Sequence, residues 1–201
     1  MEADFAVELG SGDEILDFPW AGAEGGPRYC DLKHQPELLL EIEETRRVPE
    51  LGEFLAALNA PASTLETAKC DAWASAEISP EEEIFGAVCK FGSYVDLLFS
   101  LEGYRFSFTE HERLARRVTQ LLKRAPEIPA AAELIIRRCF YHAANGVQDG
   151  FYVTFYLFGY GDDEPQARQH WAIALKLVEN AIRQISAEAA QARQRPSPKN
   201  P

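Results

Sequence analysis

The chain predicts an α+β fold. Its centre is a four-stranded, mostly antiparallel sheet made by a duplicated ββα unit, with two long helices on one face and a helical layer from the N-terminus. Three observations carry that expectation. Residues 150–161 put Phe151, Val153, Phe155 and Leu157 on one side of a strand and Tyr152, Thr154, Tyr156 and Phe158 on the other, so this strand must be covered on both faces. Two stretches carry apolar residues at helical spacing: Leu114, Val118, Leu121 and Leu122, then Ala167, Trp171, Ala174, Leu175, Val178, Ile182 and Ile185. Between 65 and 186 the pattern strand, strand, helix occurs twice. Gly92, Tyr94, Val95 and Leu97 correspond to Gly150, Tyr152, Val153 and Phe155, and Lys69-Cys70 with Trp73-Ala74 to Arg138-Cys139 with His142-Ala143.

Taken in order, residues 3–9 alternate as a short strand, with Phe5, Val7 and Leu9 against Ala6 and Glu8. Residues 10–26 are too densely punctuated by Gly and Pro for regular structure and read as an irregular segment anchored by Phe18 and Trp20. Pro36 suits the first turn of a helix with Leu38, Leu39 and Ile42 on one side. Pro49 ends it, and Leu51, Phe54, Leu55 and Leu58 form a second short helix. Strands follow at 65–74 and 88–99, separated by an acidic linker, 77–83. Thr109 and Glu112 have the spacing of a capping box that opens the first long helix. A strand at 134–142 turns at Asn145-Gly146 into the 150–161 strand. Asp163 and Gln166, with Pro165 between them, open the last helix. The expected organisation is an irregular segment and helical layer at 1–60, a duplicated sheet domain at 61–186 and a flexible tail at 187–201.

Composition narrows the function classes. A net charge of −12 argues against sequence-independent binding to nucleic acid or to an anionic membrane, both of which need local Lys/Arg excess. No apolar run has the length of a membrane helix, and the first residues, with Glu2, Asp4 and Glu8, lack the basic region of a secretory signal. Cys30, Cys70, Cys89 and Cys139 are too far apart for a small disulfide framework. Cytoplasmic residence with reduced thiols is the expectation.

Parity then singles out one face. Phe91, Val95, Leu97 and Phe99, with Phe151, Val153, Phe155 and Leu157, point toward the helices. The opposite face carries Tyr94, Asp96 and Leu98, and Tyr152, Thr154, Tyr156 and Phe158: apolar in bulk, tipped with hydroxyls and one carboxylate. It has three readings: cover by the N-terminal helices around 38–58, a subunit interface, or the wall of a ligand cavity. Asp96 needs a cationic partner if buried, and Arg137, Arg138, Lys69 and Lys90 are the candidates.

Other chemistry finds little support. Cys139 and His142, three apart on a strand, project to opposite faces and cannot grip one ion, and Cys30 with His34 has no second knuckle. His111-Glu112 begins like a zinc-protease helix, but Ala115 stands where the second His would be. Gly159 and Gly161 precede a helix, but Asp162, Asp163 and Glu164 would repel a pyrophosphate. No cofactor is implied.

The expectation is therefore a non-catalytic binding or protein-interaction module. Its site residues are Tyr94, Asp96, Tyr152, Thr154, Tyr156 and Arg138, and its partner is a second copy of the chain or a small apolar ligand. One alternative is a small enzyme using Asp96 with Tyr94 or Tyr152 as acid–base groups. The other is a metal-binding or thiol-redox protein.

Overall fold

The computed structural model describes residues 1–22, 26, 28–144 and 146–194. It is a mixed α/β structure around one six-stranded sheet. The strands are β1 (Glu2–Val7), β2 (Ile15–Phe18), β3 (Leu65–Ser75), β4 (Cys89–Phe99), β5 (Ala130–Ala143) and β6 (Gly146–Gly161). The helices are α1 (Glu43–Arg47), α2 (Pro49–Leu58), α3 (Glu102–Arg105), α4 (Phe108–Leu122) and α5 (Glu164–Gln194), with 3-10 turns at Pro36–Glu41 and Pro80–Phe85. Among the described residues no helix is long and apolar enough to cross a membrane.

The sheet runs β1-β5-β6-β4-β3, with β2 also pairing with β5. The four strands β5, β6, β4 and β3 pair antiparallel to one another, as expected. The sheet is nevertheless larger than the four strands predicted. β1 and β2 add to it one after the other along the free edge of β5, β1 beside 131–136 and β2 beside 138–141, both parallel to it. The second of them lies inside the segment expected to be irregular. Ile15 to Phe18 is short enough to pair with a neighbouring strand despite its Gly-rich flanks, a case of tertiary context overriding local punctuation.

Register supports only part of the correspondence between halves. Tyr94 faces Tyr156 and Asp96 faces Thr154 across β4 and β6. If Tyr94 corresponds to Tyr152, then Asp96 and Thr154 are equivalent positions, and the halves meet about their shared pair. The first strands do not follow the matching letters. Val95 faces Cys70 while Val153 faces Ile136, and Gly92 faces Trp73 while Gly150 faces Cys139. Cys70 is thus equivalent to Ile136, not Cys139, and Trp73 to Cys139, not His142. A bulge between Thr67 and Cys70 gives β3 a local geometry that β5 lacks.

One face of the sheet holds the main core. Phe91, Val95, Leu97, Val153, Phe155 and Leu157 pack against Leu114 and Val118 of α4 and Trp171, Leu175 and Val178 of α5. Ser93, the one polar residue on this face of β4, accepts a 2.9 Å hydrogen bond from Trp171 Nε1. The N-terminal layer is on this same side: Leu51, Phe54, Leu55 and Leu58 of α2 belong to the core cluster, and the Phe54 ring lies 6.2 Å from that of Phe155. It does not cover the tyrosine face, because its apolar stripe completes the helical layer beside α5.

Two helix ends differ from expectation. Ser107, not Thr109, caps α4, accepting from Glu110 N. α5 stays helical to Gln194 rather than ending near 187, whereas 195–201 lie outside the described residues, as does Asn145 of the expected turn. At its start, Asp163 accepts from Gln166 N at 2.8 Å, the anticipated cap.

Candidate functional site

Alternation places the even residues of β1, β4 and β6 and the odd residues of β5 on the outer sheet face. Reading register across the strands gives successive rows. One runs Glu2, Ala131, Phe158, Gly92, Trp73, and the next Asp4, Glu133, Tyr156, Tyr94, Asp71. A third contains Ile135, Thr154 and Asp96, and a fourth Arg137 and Tyr152.

Half of this face is sealed by the chain itself. Leu16 and Phe18 of β2 pack with Leu98, Cys139, Tyr141 and Tyr152, and Trp20, Tyr29 and Phe106 close the edges. Trp20 Nε1 donates to Ala68 O at 2.8 Å, fastening the N-terminal strap to the bulge of β3. Arg105 lies over the rings of Phe18 and Tyr141, with centroid distances of 5.6 and 5.3 Å, and pairs with Glu66.

At the boundary sits a buried polar group of residues. Thr154 Oγ1 donates to Asp96 Oδ1 at 2.8 Å, and Arg137 Nη1 donates to Thr154 Oγ1 at 3.1 Å. Arg137 also binds Glu8 at 2.8 Å and Glu14 at 3.1 Å. Asp96 is only 2% exposed. Burial pushes its carboxyl from the ordinary value up to about 7, against the hydrogen bond from Thr154. Burial likewise raises the phenols of Tyr152 and Tyr94, with Asp96 adding to each.

The other half of the face is open. Trp73, Tyr94, Tyr156 and Phe158 are all half-buried. The Trp73 ring lies 6.2 Å from Phe158, edge to face, and 6.5 Å from Tyr94. Tyr94 and Tyr156 are 6.0 Å apart, and Tyr156 lies parallel to Phe158 at 6.4 Å. Gly92 makes this continuity steric, since a Cβ there would come within 2.9 Å of the Phe158 ring and 3.1 Å of Trp73. The two rings close over the missing side chain.

Of the residues expected to form the site, the structure brings together Tyr94, Asp96, Tyr152, Thr154 and Tyr156. Asp96 and Tyr152 are interior, whereas Tyr94 and Tyr156 are half-exposed. Arg138 is not with them. It projects from the other side of β5 and pairs with Asp149 at 3.0 Å. Its neighbour Arg137 takes the role of cation on this face. Extending the hairpin register back from Gly146 sets Arg137 opposite Tyr152, a signal the sequence did contain. Trp73 is the other addition; the signal for it was the missing side chain at Gly92.

A separate cleft of about 650 Å³ opens beside the β3 bulge, lined among others by Trp20, Cys30, Glu41, Lys69, Cys70 and Tyr94. Cys139 is buried beside Leu16 of β2, and His142 pairs with Asp17 at 2.8 Å, so these two residues do not converge. His34 pairs with Asp31 at 2.9 Å. Among the described residues no three His, Cys, Asp or Glu side chains are grouped to hold a metal ion. Comparison with protein-family models, with curated proteins and with solved structures finds no match.

Proposed function

We propose that this chain is a non-catalytic interaction module that binds its partner on the open aromatic half of the outer sheet face. The observation that carries this reading is the contrast between the two halves. The protein folds its own strap over Leu98, Tyr141 and Tyr152, yet leaves Trp73, Tyr94, Tyr156 and Phe158 contiguous and half-exposed. Contiguous half-exposed aromatics are the composition of a recognition surface rather than of a plain outer wall. A common origin of the two ββα halves fits this placement, because the β4–β6 pairing that joins them gathers aromatic residues from both.

The acid–base alternative has weaker support. Asp96 has the raised pKa such a role needs, but it is sealed and one of its oxygens is already taken by Thr154. A small-ligand reading draws on the cleft beside the β3 bulge, which Tyr94 shares.

The test is a thermal-shift screen of a peptide and small-molecule library against the native protein and Trp73→Ala/Phe158→Ala. Binders that stabilise the native chain and lose their effect on the double variant are the expected result. Binders indifferent to both rings would overturn the reading. Binders blocked instead by Cys30→Trp, which fills the cleft, would move the site there.

A further inference from the structure

Building on that reading, we infer that the partner is an extended basic polypeptide segment, with apolar side chains that cover the aromatic patch and Lys/Arg side chains that meet carboxylates at its border. Carboxylates stand in the rows beside the rings. Along the β1–β5 border lie Glu2, Asp4 and Glu133, in register with Phe158 and Tyr156. All three are exposed, and none has an ion pair among the described residues. On the opposite border Asp71 follows Tyr94, held to Arg47 by a long 3.4 Å contact.

The two cations that lie over these rings are already committed, while Lys69 lies instead over the Trp20 ring of the strap, at 5.4 Å. Lys90, over the Phe158 ring at 5.3 Å, binds Glu82 at 2.7 Å. Arg137, 6.0 Å from the Tyr156 ring, is shared between Glu8 and Glu14. The aromatic surface therefore sits under spare negative charge, within a chain of net charge −12. Such a surface attracts cations both through its carboxylates and through the ring faces.

Dimensions select a polypeptide over a small amine. From Asp4 to Asp71 the row crosses five strands, about 19 Å at about 4.8 Å per interstrand step. An extended segment of about six residues spans that distance and presents alternate side chains to the face. Charge also selects against a second copy: two of these faces brought together about a twofold would set unpaired carboxylates against one another.

The probes are four fluorescein-labelled peptides of about ten residues, titrated by anisotropy against the native protein; their face-directed positions, spaced by serines, carry Leu between Lys ends (Lys/Leu), between Ser ends (Ser/Leu) or between Glu ends (Glu/Leu), or Ser between Lys ends (Lys/Ser). Lys/Leu should bind at least about tenfold more tightly than Ser/Leu or Lys/Ser. Its affinity should fall with added salt and drop on Trp73→Ala. Asp4→Lys/Glu133→Lys, at two exposed positions, should shift the preference to Glu/Leu. Equal binding of Lys/Ser and Lys/Leu, unaffected by Trp73→Ala, would overturn the inference as diffuse electrostatics. Tighter binding of Ser/Leu or Glu/Leu, still lost on Trp73→Ala, would overturn it while leaving the aromatic interaction face intact. Concentration-dependent self-association abolished by Trp73→Ala would do the same in favour of a second copy. Absence of binding by all four peptides would count against both the inference and the reading beneath it.

Discussion

Thr154 Oγ1 donates to Asp96 Oδ1 over 2.8 Å, joining two residues that face each other across β4 and β6 with 1% and 2% exposure. Burial holds the Asp96 carboxyl near pH 7 instead of its ordinary 3.8. The raised value fixes the sign of its linkage to stability. Below about pH 4 both folded and unfolded chains keep the proton; between about 4 and about 7 only the folded chain does, so stability falls as pH rises, by on the order of 4 kcal/mol at most. Asp96→Asn, which retains an acceptor for Thr154, should remove that slope and be the more stable protein at pH 8. The check is the urea midpoint of both proteins from pH 4 to 8. A difference that does not change with pH would mean that Asp96 ionises normally.

Arg137 ties the N-terminal strap to the sheet through Glu8, Glu14 and Thr154. The two glutamates are 38% and 54% exposed, so each ion pair is partly screened and both carboxylates can return to water when the arginine is removed. Arg137→Ala should therefore cost only about 1–3 kcal/mol. Hydrogen exchange should localise the effect, with faster exchange over residues 8–18 and unchanged protection in β4 and β6. Uniform loss of protection would show that Arg137 supports the whole sheet.

Arg137 also shows where reading the sequence stops. The alternation of β4 and β6 was legible because every second residue except Ser93 is apolar from Phe91 to Phe99 and from Phe151 to Leu157, and it placed Tyr94, Asp96, Tyr152, Thr154 and Tyr156 on one face. β5 is apolar on both sides around Ile135 and Ile136, so parity alone could not choose between Arg137 and Arg138; the hairpin register decides. Which layer covers which face was not legible. The stripe Leu51, Phe54, Leu55 and Leu58 says that α2 must be buried, but not on which side, and it lies against Phe155 rather than Tyr152. The strap took that place with few residues, chiefly Leu16, Phe18 and Trp20, which stand among glycines that argued for irregular structure.

Gly159 is required by the approach of α5 to the sheet. A Cβ there would meet backbone atoms of the helix: Trp171 N, Ala167 O and, at 2.7 Å, Trp171 Cα. A flexible side chain could move aside, but a helix backbone cannot without withdrawing Trp171, which bonds Ser93 and packs on Phe91 at 4.9 Å. Gly159→Ala should cost more than about 3 kcal/mol or prevent folding. Gly103→Ala, where nothing lies within 4 Å, should change the thermal midpoint little. Near-native stability of Gly159→Ala would mean that α5 can ride outward from β6.

Thiol reactivity measures how firmly the strap is held. Cys139 is fully buried beside Leu16 and Phe18, and burial pushes its thiol up to about 12 despite the nearby Tyr141 hydroxyl. Cys70, half-buried at the cleft, is pushed up to about 12 by burial and the neighbouring Glu44. At pH 8 the thiolate fraction at either is about one in ten thousand, so an alkylating reagent has almost nothing to attack. Cys139 should stay unlabelled in the native protein, Cys70 should label slowly, and all four cysteines should react in denaturant. Labelling read by intact and peptide mass spectrometry separates them. Because Leu16 and Phe18 of the strap belong to the cluster that encloses Cys139, Arg137→Ala should speed its labelling while leaving Cys70 unchanged. Rapid labelling of Cys139 in the native chain would show that β2 leaves the sheet freely and that the sealed half of the outer face is sealed only part of the time.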